Sequence, residues 1–292
     1  MLSRSQNIKS PAGSVHPVMD ADSKELDRLR SALIQTISDF LDRRLPLRRI
    51  VLVASILQDC SIKLPTDGRL ARRLLSEQRK DGGWIDCEDT AWALFYLNEK
   101  RFENNVRTGM RWLERERNAK KGWGFCKRDH PCIPITAQIL YLLPAINSHR
   151  EAAKWLEKEW KKDIDSSTKL NYKAAWYLLA YARLFEKMSL SKELFYRTVM
   201  YLIKEQRSDG SWGPWRKHPA PSDCYSTGIC MTALAQSYRI SGDNEIYKVL
   251  NKSIHWIKDK QLKNGLFPTH YIEEGSAWIF WGWSKTVSLI ER

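Results

Sequence analysis

Apolar residues are spaced along this chain in two ways, and the two alternate. Stretches such as Arg111-Trp112-Leu113-Glu114-Arg115-Glu116-Arg117 set single apolar positions among charges, whereas Ile133 to Leu143 is apolar on nearly every side. At the helical period the first kind covers a core with one stripe, and the second has neighbours all round. The alternation predicts outer and inner helices in turn, the inner ones at Thr90 to Leu97, Ile133 to Leu143, Ala174 to Leu184, Thr227 to Ala235 and Ser276 to Ile290. A first hairpin precedes them. Leu26, Leu29, Leu33, Ile37 and Phe40 share one face of a helix from Lys24 to about Leu41, capped by Asp22-Ser23. Pro46 opens a second helix with Ile50, Val53, Ile56 and Leu57 inward. Residues 1–21, polar and broken by Pro11, Gly13 and Pro17, read as a flexible tail, and residues 22–292 as a single domain.

The junctions between outer and inner helices repeat. Glu77-Gln78-Arg79-Lys80-Asp81-Gly82-Gly83-Trp84 returns almost letter for letter as Glu205-Gln206-Arg207-Ser208-Asp209-Gly210-Ser211-Trp212. Weaker copies end on Trp123 and Phe267, and an eroded one runs from Trp155-Leu156 to Asn171-Tyr172. Glycine supplies a backbone that tolerates positive φ, and the aromatic residue anchors the turn. The spacing of roughly 40 to 55 residues is near that of helical-hairpin repeats. Six hairpins predict an all-α fold, an (α/α)6 toroid of six inner and six outer helices; a linear solenoid is the alternative.

Composition adds limits. An apolar content of 43% with 13 Trp suffices for a core, and no run is long and apolar enough to cross a membrane. The N-terminus carries no signal-peptide pattern, and the six cysteines form no CxxC pairs, so the expected setting is the cytoplasm with reduced thiols. The net charge of +14 points to an anionic partner, or to a plain basic surface.

The turns, Gln78 to Trp84 and Gln206 to Trp212, resemble the QW repeats of squalene-hopene and oxidosqualene cyclases, within the terpenoid cyclase and protein prenyltransferase toroids. Asp86-Cys87-Glu88-Asp89-Thr90-Ala91 resembles the DxDDTA motif of class II terpene cyclases. The resemblance implies an isoprenoid-processing enzyme, a protonation-initiated cyclase of a linear polyprenyl substrate. Glu88 then stands where that family has its proton-donating Asp, Asp86 and Asp89 tune it, and Asp223 is the reserve acid. A dry pocket and a neighbouring carboxylate keep a proton on such a group. Trp92, Phe125, Tyr172, Trp176, Tyr225 and Trp278 are the expected substrate-binding aromatics, whose faces stabilise a cation. Two departures stand out: Glu88 replaces that family's central Asp, and that family usually pairs two toroids where this chain has room for one.

Asp223-Cys224-Tyr225-Ser226 also resembles the zinc segment of prenyltransferase β-subunits, but the family's zinc Asp would fall at Ser222 and its zinc His near Gly275, with His270 upstream. No metal site is therefore expected, and Mg²⁺ enters only for a diphosphate substrate. The expected partners are a polyprenyl or polyprenyl diphosphate and a peripheral membrane contact, without nucleic acid; a homo-oligomer or a partner subunit stays open. The alternatives are a prenyltransferase-like enzyme needing a partner subunit, and a non-catalytic toroid that binds a lipid, peptide or protein.

Overall fold

The computed structural model describes residues 19–290 apart from 99, 101, 145–147 and 168. Twelve helices and no strands occur among the described residues. The outer helices are α1 (Met19–Asp42), α3 (Asp67–Ser76), α5 (Glu103–Glu116), α7 (His149–Asp163), α9 (Lys192–Glu205) and α11 (Asn244–Lys260). The inner helices are α2 (Leu47–Asp59), α4 (Cys87–Asn98), α6 (Ile133–Leu142), α8 (Asn171–Leu184), α10 (Cys224–Ser241) and α12 (Ile272–Ile290). Each inner helix packs on the inner helix before and after it, and α12 packs on α2. The ring is therefore closed and the linear solenoid is excluded. Most of the tail expected at residues 1–21 lies outside the described residues. The cap expected at Asp22-Ser23 is corrected: α1 already starts at Met19. Met19-Asp20-Ala21-Asp22 holds no helix breaker, and acidic residues suit a first turn.

Four turns are built alike. The indole N–H of Trp84, Trp123 and Trp212 donates to the carbonyl of Leu74, Leu113 and Leu202 on the preceding outer helix, at 3.0, 2.8 and 2.9 Å. The backbone N–H of the same residues donates to the hydroxyl of Thr90, Thr136 and Thr227 on the following inner helix, at 3.0, 2.9 and 3.1 Å. Phe267 does the same with Ser276 at 2.9 Å. One residue thus ties an outer helix, a turn and an inner helix together, and the N–H groups of Trp84, Trp123 and Trp212 all find acceptors.

A second set of contacts joins one hairpin to the next. The side-chain amides of Gln78, Gln206 and Gln261 donate both to their own turn and to a carbonyl of the next outer helix, at Asn105, Val249 and Glu25 respectively. The last of these closes the ring from α11 to α1. In the turn after α5 the glutamine is replaced by Arg117, which with Lys121 pairs with Glu151 on α7. Gly82, Gly210 and Gly265 have φ of 102°, 94° and 88°. A Cβ there would stand 2.7, 2.4 and 2.9 Å from a carbonyl oxygen of the next outer helix. Glycine is needed twice over, for its backbone angle and for the approach of the neighbouring helix.

Gly242 separates those two needs, because its φ is 65° and nothing lies within 4 Å of a Cβ placed on it. Gly210→Ala is expected to lower stability by roughly 2–4 kcal/mol, the left-handed penalty plus steric strain, and Gly242→Ala by roughly 1–2 kcal/mol. Urea denaturation of the two variants checks the difference; equal losses would mean that the close approach at Gly210 carries no weight.

Candidate active site at the mouth of the ring

All inner helices start on one face of the ring, and their first turns meet around its axis. Counting from the hydroxyl that receives each turn N–H puts Glu88, Pro134, Tyr225 and Glu274 at equivalent positions, two residues before Thr90, Thr136, Thr227 and Ser276. Tyr172 joins them on α8, since the N–H of Asn171 reaches the Pro214 carbonyl as that of Cys87 reaches Phe125. Arg48 takes the corresponding place on α2, as its second residue. One helical turn deeper come Trp92, Gln138, Trp176 and Trp278, which fill the axis.

The acidic motif lies between Arg48 and Gln138. Asp86 caps α4, its Oδ1 accepting the N–H of Asp89 at 2.9 Å. The Arg48 guanidinium lies 3.2 Å from Asp86, 3.2 Å from Asp89 and 3.8 Å from Glu88. Gln138 Nε2 donates to Glu88 Oε1 at 3.4 Å. Burial, and then the charge of Asp86, push the Glu88 carboxyl up to about 7; the same two causes, in the same order, push Asp89 up to about 7. Burial also raises Glu274, which adds to the repulsion on both. One guanidinium faces several carboxylates here, so the cluster favours holding protons near neutral pH. Asp89 Oδ2 is buried without a partner, which a proton on the pair relieves. Glu88 differs in access: its side chain retains 30% exposure against 9% for Asp89, so Glu88 faces the mouth and Asp89 backs it.

Asp223 has the work of Asp86 and not of Glu88. It caps α10 by accepting the Ser226 N–H at 2.6 Å, and Tyr225 occupies the inward position on that helix. Five of the six expected aromatics come together. Tyr172 and Tyr225 lie 5.9 Å apart, Tyr225 lies 5.1 Å from Trp278, and Trp176 Nε1 donates to the Tyr225 oxygen at 3.2 Å. Phe125 stands apart on the rim, 47% exposed. Below the tyrosines the ring is closed: Trp92, Trp176, Trp278 and Trp281 are each at most 2% exposed, with every pair of rings within 6.5 Å. Trp281 and Tyr141, 5.7 Å apart, extend this plug towards the other face.

Among the described residues no three His, Cys, Asp or Glu side chains gather as a metal site, and the His270 ring packs on Tyr271 at 4.4 Å, not on Cys224. Asp163 ends α7 and pairs with Lys173 at 3.0 Å. A concavity of about 830 Å³ opens on the opposite face around Asp67, Tyr96 and Lys100, at the other end of α4 from Glu88. A smaller cleft of about 230 Å³ between α2, α3 and α4 has Asp89 in one wall and Leu47, Val51 and Trp84 in others. Sequence reasoning missed Arg48, Gln138 and Glu274. Counting from helix starts would have found Arg48 and Glu274, because both share the register of Glu88.

No protein-family model and no curated protein sequence matches the chain. Solved structures do. A variant of the type II terpene cyclase MstE from Scytonema, in complex with its substrate geranylgeranyl dihydroxybenzoate, superposes with a TM-score of 0.69 at 13% identity, over 91% of this chain and 99% of that one. ent-Copalyl diphosphate synthase from Streptomyces platensis superposes at 0.61 and 16% identity, over 83% of this chain and 51% of the other. An unsaturated glucuronyl hydrolase specific for heparin superposes at 0.69 and 10% identity, over 93% and 99%. The fold is that of the terpene cyclase α/α toroids, and it also serves a glycoside hydrolase, so the chemistry rests on the site. A single ring accounts for nearly the whole MstE chain, so the second toroid expected of this class is not a requirement of the fold.

The raised carboxyls carry a stability signature. In the fold they hold protons to about pH 7, but unfolded carboxylates release them near pH 4. Between those values the unfolded chain binds fewer protons, so their contribution to stability falls as pH rises and is gone above about 7. Asp89→Asn is expected to gain stability relative to wild type from pH 5 to pH 8. Denaturation midpoints at both pH values check this, and a variant that loses ground with pH contradicts the assignment.

Proposed function

We propose that this protein is an isoprenoid-processing enzyme that starts cyclisation of a linear polyprenyl substrate by protonating a terminal alkene. What supports this reading is the placement of Glu88, a carboxyl that burial and the charge of Asp86 push up to about 7, at the mouth of a ring floored with aromatic faces. The proton passes from Glu88 to the alkene carbon, the π electrons form the new C–H bond, and a tertiary cation remains. Gln138 and Arg48 fix the carboxyl and stabilise the carboxylate left behind. The faces of Tyr172, Tyr225 and Trp278 suit the cation, and loss of a proton from the cyclised cation restores neutrality. For a chain of several isoprene units to enter, the Trp92 or Trp278 ring must swing out of the axis.

The plug itself favours a second reading. Four indoles packed edge to face or tilted on one another make a core that needs no ligand, as in a non-catalytic toroid whose partner binds outside. Product analysis by mass spectrometry separates the two, using polyprenyl substrates of several lengths with and without diphosphate. Under the enzyme reading wild type gives cyclised product, and Glu88→Gln, folded as wild type, loses at least about 100-fold, since general acid catalysis is typically worth about 10²–10⁴-fold. Asp223→Asn keeps more activity than Glu88→Gln. Turnover of no polyprenyl substrate, together with a co-purifying protein, replaces the enzyme reading with the binding one.

A further inference from the structure

The large apolar side chains left exposed are not spread evenly over the molecule. Among the described residues they are Ile85, Phe125, Tyr196, Met200, Trp215, Leu262, Tyr271 and Ile272. Tyr196 and Met200 lie on the wall, in α9. The other six lie in the turns that lead into inner helices, or at the first residue of α12, and these turns surround the mouth. None lies in the connections of the opposite face. Charge divides the same way. The six segments between outer and inner helices on the mouth face carry 14 Lys and Arg against 7 Asp and Glu; the five connections of the opposite face carry 4 against 3.

We propose that the mouth face docks on an anionic lipid bilayer, with Ile85, Trp215 and Tyr271 entering the headgroup region and the basic turns facing the lipid phosphates. The distribution of the anchors selects a bilayer over a folded partner. The apolar residues stand on four separate turns with lysines and arginines between them, as in Phe125-Cys126-Lys127-Arg128 and Trp215-Arg216-Lys217. A rigid protein partner needs a continuous apolar patch, whereas a fluid interface accepts scattered aromatic and aliphatic tips and rewards cations beside them. Trp and Tyr also suit that depth, with an apolar body and a polar tip. No helix among the described residues is long and apolar enough to cross a membrane. Docking in this pose sets the Glu88 mouth against the bilayer, but it rests on the surface and stands whether or not the ring is catalytic.

The experiment is co-sedimentation of the full chain with phosphatidylcholine vesicles, with and without phosphatidylglycerol, at low and high salt. Binding is expected to anionic vesicles, and weaker in high salt. The triple variant Ile85→Ser/Trp215→Ser/Tyr271→Ser is expected to lose at least about ten-fold, because each loses buried apolar area. Lys127→Glu/Arg128→Glu/Lys217→Glu is expected to abolish the preference for anionic lipid. The wall variant Tyr196→Ser/Met200→Ser keeps wild-type binding, and circular dichroism confirms that all variants are folded. The proposal is overturned if no vesicle binds, if the wall variant loses as much as the triple variant, or if the triple variant binds as wild type. It is also overturned if soluble heparin competes fully while the apolar variant is unaffected, which would mark a polyanion surface.

Discussion

The whole architecture depends on how closely one hairpin lets the next approach. Gly82, Gly210 and Gly265 each leave a gap that the backbone of the following outer helix fills, and a glutamine amide then binds a carbonyl of that helix. The contact is backbone against backbone, so it fixes position and angle together and leaves no slack for side-chain adjustment. Repeated round the circle it sets a rotation per hairpin, and six such rotations return α11 to α1. Where the sequence departs, in the turn after α5, Lys121 takes the positive φ of 76° and an Arg117–Glu151 ion pair replaces the amide. The joint survives the loss of glycine because charge on the surface does the holding.

Closure determines the chemistry at the mouth. Because the inner helices start at one level, six side chains of one register converge on the axis, and their identities decide what the ring can do. Five of them here are Arg48, Glu88, Tyr172, Tyr225 and Glu274. Two carboxyls from neighbours of α2, with only Arg48 between them at that level, repel each other's negative charge through a medium that burial has dried. Asp86 and Asp89 add to that repulsion from the same helix. A proton held near neutral pH is thus a product of convergence and not of the motif alone. At the start of α10 the same Asp-Cys pair simply caps the helix, because Tyr225 and not an acid takes the inward position there.

Much of the fold was legible in the chain because the turn has a strict local grammar. Trp84, Trp123, Trp212 and Phe267 are found at equivalent junctions, and the more apolar helices are the inner ones. The DxDDTA-like segment likewise placed Asp86, Glu88 and Asp89 together. What stayed hidden depends on distance in space. Arg48 lies on a hairpin with no repeat letters at its junction, and Gln138 reaches Glu88 from another helix a turn deeper. Asp223 stood as the reserve acid on family likeness, and the sequence alone did not show that it caps α10 while Tyr225 takes the inward position. The plug was also illegible: Trp92, Trp176 and Trp278 read as the lining of a cavity, yet large aromatics at one level of a narrow ring meet and exclude one another from solvent.

The bond from Gln261 to the carbonyl of Glu25 joins residues 236 apart, and it has a consequence for the order in which the molecule is made. On a ribosome the first hairpin emerges early, but its neighbour on one side is the last to appear. Until α12 arrives, Trp92 and Trp176 lack the indoles of Trp278 and Trp281, and the apolar flank of α2 has no cover. Five hairpins in sequence therefore form an open arc with a wet axis, and the final helix supplies both the missing wall and half of the central plug. Until α12 is made the ring is an open arc whose apolar seam is uncovered, and an uncovered seam of that kind is prone to aggregate.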